Sequence, residues 1–393
     1  MKKIVFSTGM FRSGTTLVAR MLNSHPEIAF ASDPYAFLFK SFRNAVEEKY
    51  LDTEEIDYDA PLDDYYFYHQ KQKIMNFIQN ESFNLPFNKT KIASLRNTIA
   101  KLSEPYSPKI KFFLDELEGE TFKELFAKGM DIINNAYGSN QTKIIGFKEV
   151  WAGEFAKHIL ESFPEAKVIH IVRDPRAVCA SKNVTNEKYP WLFLIRQWRK
   201  LASFAWIDAH SLYKDRVHLL KYEDLVKEPL IEVKKLCSFL EINFNSNLSD
   251  PTTFVDGTGK KWKQNSTHFQ GKQKFNQDSI NKWQELLKPE EIQLIESLCI
   301  PEMRIFGYKI TNKKNEKLNF NQIFNSKEMK FNELAEWIKP YSCLDNDKWL
   351  YEMSLEYMRS QVLKSQESVS KKIKQSLSLN SKFFKKLRDL QKD

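Results

Sequence analysis

The chain holds only four cysteines, Cys179, Cys237, Cys299 and Cys343, and consecutive ones are more than forty residues apart. No pair has metal-ligand spacing and a dense disulfide framework is excluded, so they read as reduced core thiols. Also missing is any long apolar segment behind MKKIVFSTGM, and no stretch approaches the ~18 uninterrupted apolar residues of a spanning helix. A soluble cytoplasmic protein is the expectation. No internal repeat is evident, which sets aside solenoids and propellers.

Basic charge is scarce where a polyanion-binding surface would need it. The net charge is +9, but residues 371–393 carry eight Lys/Arg against two Asp, and residues 311–370 balance nine against nine. Only +3 remains for residues 1–310. The excess belongs to the tail, and the composition gives no reason to expect nucleic-acid binding by the rest.

What is present begins with IVFSTGMFRSGTT. The apolar run Ile4, Val5, Phe6 stops at Gly9, a polar turn follows, and an apolar helical pattern starts at Leu17, Val18, Met21 and Leu22. This is a strand, an anion-binding turn and a helix, because N–H groups at a helix N-terminus are unpaired and carry the positive end of the dipole. Ser13, Gly14, Thr15 and Thr16 are small enough for close approach. The Gly9 to Gly14 spacing is that of a triphosphate-binding loop, yet Thr15 stands where that motif needs Lys, and the cation is Arg12. The loop suits a smaller 5′ anion held by backbone, hydroxyls and one guanidinium.

At 393 residues and 46.4 kDa the chain is long enough for a full α/β core and an appendage. Further strands are expected at Lys143 to Phe147, Lys167 to Val172 and Val217 to Leu220, and helices at Trp151 to Phe163, Pro229 to Leu240 and Pro289 to Cys299. The β-α-β rhythm predicts a P-loop nucleotide-hydrolase-like parallel sheet with helices on both faces. A mainly helical insertion falls at about 40–140, with an acidic stretch from Glu47 to Asp64 and the aromatic run Tyr65, Tyr66, Phe67, Tyr68. It reads as a solvated face or as a lid over the site. Composition changes after Gly307, so the division is 1–310 for the main domain and 311–393 for a helical basic C-terminal appendage.

The strand at Lys167 to Val172 runs into RDPRAVCAS. Asp174 is placed to cap a helix that Pro175 starts, and Arg173 with Ser181 would clamp a second phosphate. One ligand with a 5′ anion and a separate 3′ phosphate would use both sites, and 3′-phosphoadenosine-5′-phosphosulfate (PAPS) is such a ligand.

FRSGTTLVARMLNSHPEI, VIHIVRDPRAVCASK, LLKYEDLV and WKQNSTHF, in that order, resemble the PAPS-dependent sulfotransferases, in motif style closest to the tyrosylprotein and Golgi-type carbohydrate enzymes. The resemblance covers residues 3 to 308. It implies that Arg12 to Thr16 hold the 5′-phosphosulfate and that Arg173 and Ser181 hold the 3′-phosphate. It puts Tyr222 near the adenine, Ser266 at the phosphosulfate and Lys282 at the 3′-phosphate. The alternatives are a strand-end Tyr, a turn Ser and a surface Lys. Lys148 in GFKEVW matches the family's catalytic lysine, with a structural partnership to Glu149 as its other role, and Arg12 is a further cation for the leaving oxygens. Asp33 aligns with the acid that serves as general base in the tyrosylprotein type, where the family has Glu. With Pro34 behind it, a helix cap is the competing role. Neither His25 nor His268 sits in a matching motif, and no metal is implied.

The expected reaction is sulfuryl transfer to an acceptor hydroxyl, a glycan first, then a peptide tyrosine, then a lipid or small alcohol. A P-loop kinase and a non-catalytic nucleotide-binding protein are the rivals. In the tail, Ile373, Leu377, Phe384 and Leu387 form one apolar stripe. It suits a helix packed back on the main domain, a dimerising arm, or a peripheral helix on an anionic membrane, and the local +6 favours the membrane over the dimer.

Overall fold

A computed structural model describes residues 2–64, 73–181, 189–263, 274–311, 334–336, 338–341, 346–377 and 380–390. Ser266, His268, the run Tyr65 to Tyr68 and Cys343 lie outside the described residues.

In chain order the elements are β1 (Lys3–Gly9), α1 (Thr15–Asn23), β2 (Ile28–Ser32), α2 (Ala36–Tyr50), α3 (Lys73–Asn80), α4 (Ile92–Ser103), α5 (Phe122–Tyr137), β3 (Ile144–Val150) and α6 (Ala156–Ser162). There follow β4 (Lys167–Val172), α7 (Pro175–Cys179), α8 (Trp191–Ala209), β5 (Val217–Lys221), α9 (Tyr222–Lys227) and α10 (Pro229–Leu240). The last are α11 (Trp283–Leu286), α12 (Pro289–Ile305), α13 (Asn346–Lys364), α14 (Lys371–Ser376) and α15 (Ser381–Asp389).

All five strands form one parallel sheet in the order β2-β3-β1-β4-β5. Successive residues of β1, β2, β3 and β4 are buried almost without interruption, as required of a sheet covered on both faces. The expected α/β class is therefore observed, with one correction. The sequence reading has no strand at Ile28–Ser32, so Lys148 belongs to the third strand in chain order, and it lies inside that strand instead of after it.

The chain folds into two compact units. The first comprises residues 1–56, 77–173 and 208–277 and contains the whole sheet; the second comprises 57–76, 174–207 and 278–393. The expected boundary near residue 311 falls within the second unit, which is assembled from three separated stretches.

The first unit's core is rich in aromatic rings. Phe83 stacks on Phe126 and Phe39 packs tilted against it, both with ring centroids within 5 Å, and His158 of α6 lies among Phe42, Phe83 and Phe155. His158 Nε2–H donates to the Ile78 carbonyl at 2.8 Å. In the second unit, Asp63 accepts from Lys200 at 2.7 Å and from the Tyr341 hydroxyl at 2.6 Å. There too the tail forms two short helices instead of one. Leu377, Phe383, Phe384 and Leu387 are buried in a core with Leu355 and Leu363 of α13, packed by Trp206, Ile207 and Ile305. Of the three readings of the stripe, packing back on the protein is the one observed, on the second unit's own residues, and only Ile373 of it remains exposed.

Burial lowers the His158 pKa from its ordinary value of 6.5 to about 4. The unfolded chain then takes up a proton below pH 6.5 that the folded chain refuses. This stability is complete above 6.5 and is lost as pH falls toward 4, to a limit of about 3 kcal/mol. His158→Gln should flatten that limb relative to the natural chain in urea titrations at stepped pH. Parallel curves for the two proteins would show that His158 does not titrate this way.

Candidate active site at the carboxyl edge of the sheet

Each strand of the sheet delivers a singled-out residue to its carboxyl end: β1 the Arg12 to Thr16 loop, β2 Asp33, β3 Lys148, β4 Arg173 and β5 Tyr222. Ligands of open α/β sheets collect at this edge.

The loop turns through two left-handed residues, Arg12 at φ 67° and Gly14 at φ 88°. Ser13 N–H donates to the Met10 carbonyl at 3.0 Å and closes the turn. Gly14 is the N-cap of α1 and supplies no side-chain cap, so the helix presents its first N–H groups outward. The Ser13 hydroxyl is fully buried with no hydrogen-bond partner among the described residues. Gly14 is required for space as well as for φ, because a Cβ there would lie 2.4 Å from Cδ2 of Tyr222.

Tyr222 therefore covers the loop. The Arg173 guanidinium stacks on the Tyr222 ring at 4.2 Å, and its Nη1 donates to the Arg12 carbonyl at 2.8 Å. Arg173 thus braces the loop backbone, a role that the motif reading did not include.

The two candidate catalytic residues are in contact. Lys148 Nζ donates to Asp33 Oδ2 at 2.5 Å, and the Lys148 side chain is 3% exposed. Register explains how a lysine fits there: its lateral neighbours are Ser7 on β1 and Ser32 on β2, both small. Asp33 continues the ladder, its N–H donating to the Lys148 carbonyl at 2.7 Å, and then turns the chain at φ 48°. It does not cap α2. The N-cap there is Tyr35, without a side-chain cap bond, and Glu149 instead accepts from the Tyr35 N–H. The alternative role of Lys148, a partnership with Glu149, is replaced by the Asp33 pair, because adjacent strand residues face opposite sides. Burial, and secondarily the Asp33 charge, push the Glu149 carboxyl well above the usual range.

Sequence reasoning missed Arg20, a buried guanidinium on α1. Burial lowers its pKa, while the charges of Asp256, Tyr137 and Asp33 oppose that shift. The available signal was a cation inside the apolar pattern Leu17, Val18, Met21, Leu22. Ser181 and Lys282 belong to the second unit. The Ser181 hydroxyl there is buried with no partner among the described residues, and Lys282 is the residue before α11. Asp174 caps α7 as expected, accepting from Arg176 N–H at 2.8 Å. No group of His, Cys, Asp and Glu among the described residues has metal-site geometry.

A sequence model described as the Sulfotransferase family matches residues 5–246. Among curated proteins, the chain is 24% identical over 185 residues to carbohydrate sulfotransferase 6 of Homo sapiens, covering 39% of this chain and 44% of that protein. It is 25% identical over 190 residues to carbohydrate sulfotransferase 3 of Tetronarce californica, covering 40% of this chain and 39% of that protein. The matched region spans less than half the length of these relatives. Similar solved structures include the sulfotransferase domain from the Synechococcus PCC 7002 olefin synthase, at TM-score 0.46 and 18% identity over 79% of this chain and 97% of that one. The sulfotransferase domain from the curacin biosynthetic pathway gives TM-score 0.45 and 18% identity over 79% and 99%.

Gly14→Ala should destabilise the chain by about 2 kcal/mol or more, since it combines a left-handed φ with a clash. Adding Tyr222→Ala should relieve the steric part and leave the backbone part. A double-mutant cycle in urea measures this, and strict additivity would show that Tyr222 does not press on the loop.

Proposed function

From the premise that this chain belongs to the sulfotransferase family, we propose that it transfers a sulfuryl group from PAPS to a hydroxyl of a carbohydrate. The observation that carries the reading is the contact between Lys148 and Asp33 beside the phosphate loop, which joins a cation and a proton acceptor in one site. The donor's fit rests on the buried, unpartnered Ser13 hydroxyl and on the uncapped N-terminus of α1. When bound, PAPS supplies the sulfuryl group, and 3′-phosphoadenosine 5′-phosphate departs as the acceptor oxygen joins sulfur.

The chain's own residues have four tasks. Backbone N–H groups of the loop, Ser13 and Arg12 hold the 5′ anion. Arg173 is the first unit's candidate for the 3′-phosphate, with Tyr222 near the adenine, and the family resemblance adds Ser181 and Lys282 at that phosphate and Ser266 at the phosphosulfate. Lys148 directs its charge at the oxygens that gain negative charge as the reaction proceeds. Asp33 accepts the acceptor hydroxyl's proton at its carboxylate. The ion pair keeps that carboxylate oriented, and Oδ1 has a second donor in Val150 N–H at 3.4 Å.

The glycan acceptor is supported by the carbohydrate sulfotransferases among the curated relatives. A peptide tyrosine, lipid or small alcohol stands behind it. Against the kinase rival is the absence of Lys after Gly14, where Thr15 stands. Calorimetry separates the classes. Magnesium-independent binding of 3′-phosphoadenosine 5′-phosphate, followed by transfer of label from PAPS to a glycan, is expected. Magnesium-dependent ATP binding in its place would overturn the reading, and donor binding without turnover on any hydroxyl would leave a non-catalytic binder.

Lys148→Ala should lower kcat by about 10²- to 10³-fold with donor affinity less affected. Asp33→Asn should cost on the order of 10²-fold in kcat, again with donor affinity less affected. Both variants should also melt earlier, Asp33→Asn the more so because it leaves the buried Lys148 ammonium without its counter-charge. A lowered melting temperature with kcat intact would therefore reduce the pair to architecture. Arg173→Ala should weaken adenosine 5′-phosphosulfate as well as PAPS, since it removes the brace on Arg12. Loss confined to PAPS would restrict Arg173 to the 3′-phosphate.

A further inference from the structure

In the second unit, α13 has its charged side chains on the inside. Glu352, Glu356 and Arg359 are all under 7% exposed. Glu352 pairs with Arg196; Glu356 accepts from Arg199 at 2.6 Å and lies 3.2 Å from Arg196 Nε; Arg359 pairs with Glu302. Burial would raise the Glu356 carboxyl, but Arg199, Arg196 and Arg359 outweigh it and hold the pKa below the usual range.

The outward side is predominantly apolar, with Ser354, Gln361 and Lys364 among its residues. Leu350, Tyr351, Tyr357 and Met358 are 54%, 42%, 48% and 46% exposed. The spacing i, i+1, i+7, i+8 gathers them on one side of the helix. The other exposed positions of α13 from Leu350 onward are Gln361 and Lys364. A helix facing only water would have this arrangement reversed.

Beside it lies fixed positive charge. Arg388 of α15 donates to the Val362 carbonyl of α13 at 3.2 Å, so α15 is anchored on the same helix. Lys371, Lys372, Lys382, Lys385 and Lys386 are exposed, and none forms an ion pair among the described residues. Phe383, Phe384 and Leu387 of α15 are already buried, while Ile373 of α14 stays exposed beside Lys371 and Lys372.

We infer that the outward face of α13, together with the cationic side of α14 and α15, is a docking surface for an anionic membrane. Tyr, Leu and Met beside a row of Lys match the interfacial zone of a bilayer, where aromatic rings sit at headgroup level and Lys meets lipid phosphate. A second copy would bring two uncompensated cationic tails together. The contact is peripheral, since no helix among the described residues is long and apolar enough to cross a membrane. This inference does not depend on sulfuryl transfer.

The test uses the full chain and vesicles of phosphatidylcholine with about 30 mol % phosphatidylglycerol. Co-sedimentation at ~0.1 M salt should exceed that on phosphatidylcholine alone by about tenfold and fall at ~0.5 M salt. Lys371→Glu with Lys372→Glu and Lys385→Glu should lose at least about tenfold in partitioning. Tyr351→Ser with Tyr357→Ser should lose about threefold or more, with unchanged thermal melting as the control for folding. Absence of vesicle binding overturns the inference, as does binding indifferent to the tyrosine pair. A dimer mass in solution that the tyrosine pair abolishes, with no vesicle binding, assigns the face to a second copy and equally overturns it.

Discussion

An ammonium group inside a parallel sheet must be neutralised from the next strand, and Lys148 imposes that condition here. Its side chain is almost wholly buried and its counter-charge comes from Asp33, the residue that follows β2. Several features follow from that contact. Asp33 must leave the ladder at the register where its carboxylate meets Nζ, which requires its left-handed turn. The turn delivers Tyr35 to the carboxylate of Glu149, on the opposite side of β3, so α2 begins there. Two consecutive residues of one strand thereby fix the end of a neighbouring strand and the start of the helix after it.

The phosphate loop is held by different means. Its two left-handed residues have no strand partner, and the brace comes from the ends of β4 and β5. Arg173 takes the Arg12 carbonyl while lying on Tyr222, and Tyr222 lies on Gly14. A guanidinium has enough donors to hold a carbonyl and still serve an anion, and its flat face allows it to stack meanwhile. Bracing and anion binding are compatible in Arg173, and would not be in a lysine. The loop is thereby rigid before any donor arrives, the condition under which backbone dipoles stabilise charge most effectively.

Much of this was legible in the sequence because it is local. β4 and α10 begin and end where their patterns do, and Asp174 caps the helix opened by Pro175. The residues that end β1, β3, β4 and β5 were found because motifs mark strand ends. β2 was not found. Ile28–Ser32 is five residues long and follows α1 after only a few residues, so IAFAS reads as an apolar patch within a turn. Without β2 there is no register to bring Asp33 to Lys148, and a helix cap stayed open as the competing role of Asp33. The second unit was hidden for another reason: 57–76, 174–207 and 278–393 are separated by long stretches of the first unit, and composition carries no mark of such pairing.

The tail shows where periodicity misleads. A stripe of apolar residues at helical spacing specifies a face, and the face is assigned to the interior on the assumption that charge prefers water. In α15 that assumption holds, and Phe383, Phe384 and Leu387 are buried with Leu377. In α13 it fails, because Arg196 and Arg199 of α8 and Glu302 of α12 supply partners for Glu352, Glu356 and Arg359. Once each buried charge has a partner, the interior accepts it, and the apolar side of the helix is left outside. The deciding information is the complementary set of charges on two other helices more than forty residues away in sequence. A cluster of arginines on a predicted core helix, as in IRQWRK, is the sign that some other helix will bury its acids, and that its exposed side has to be read for a partner.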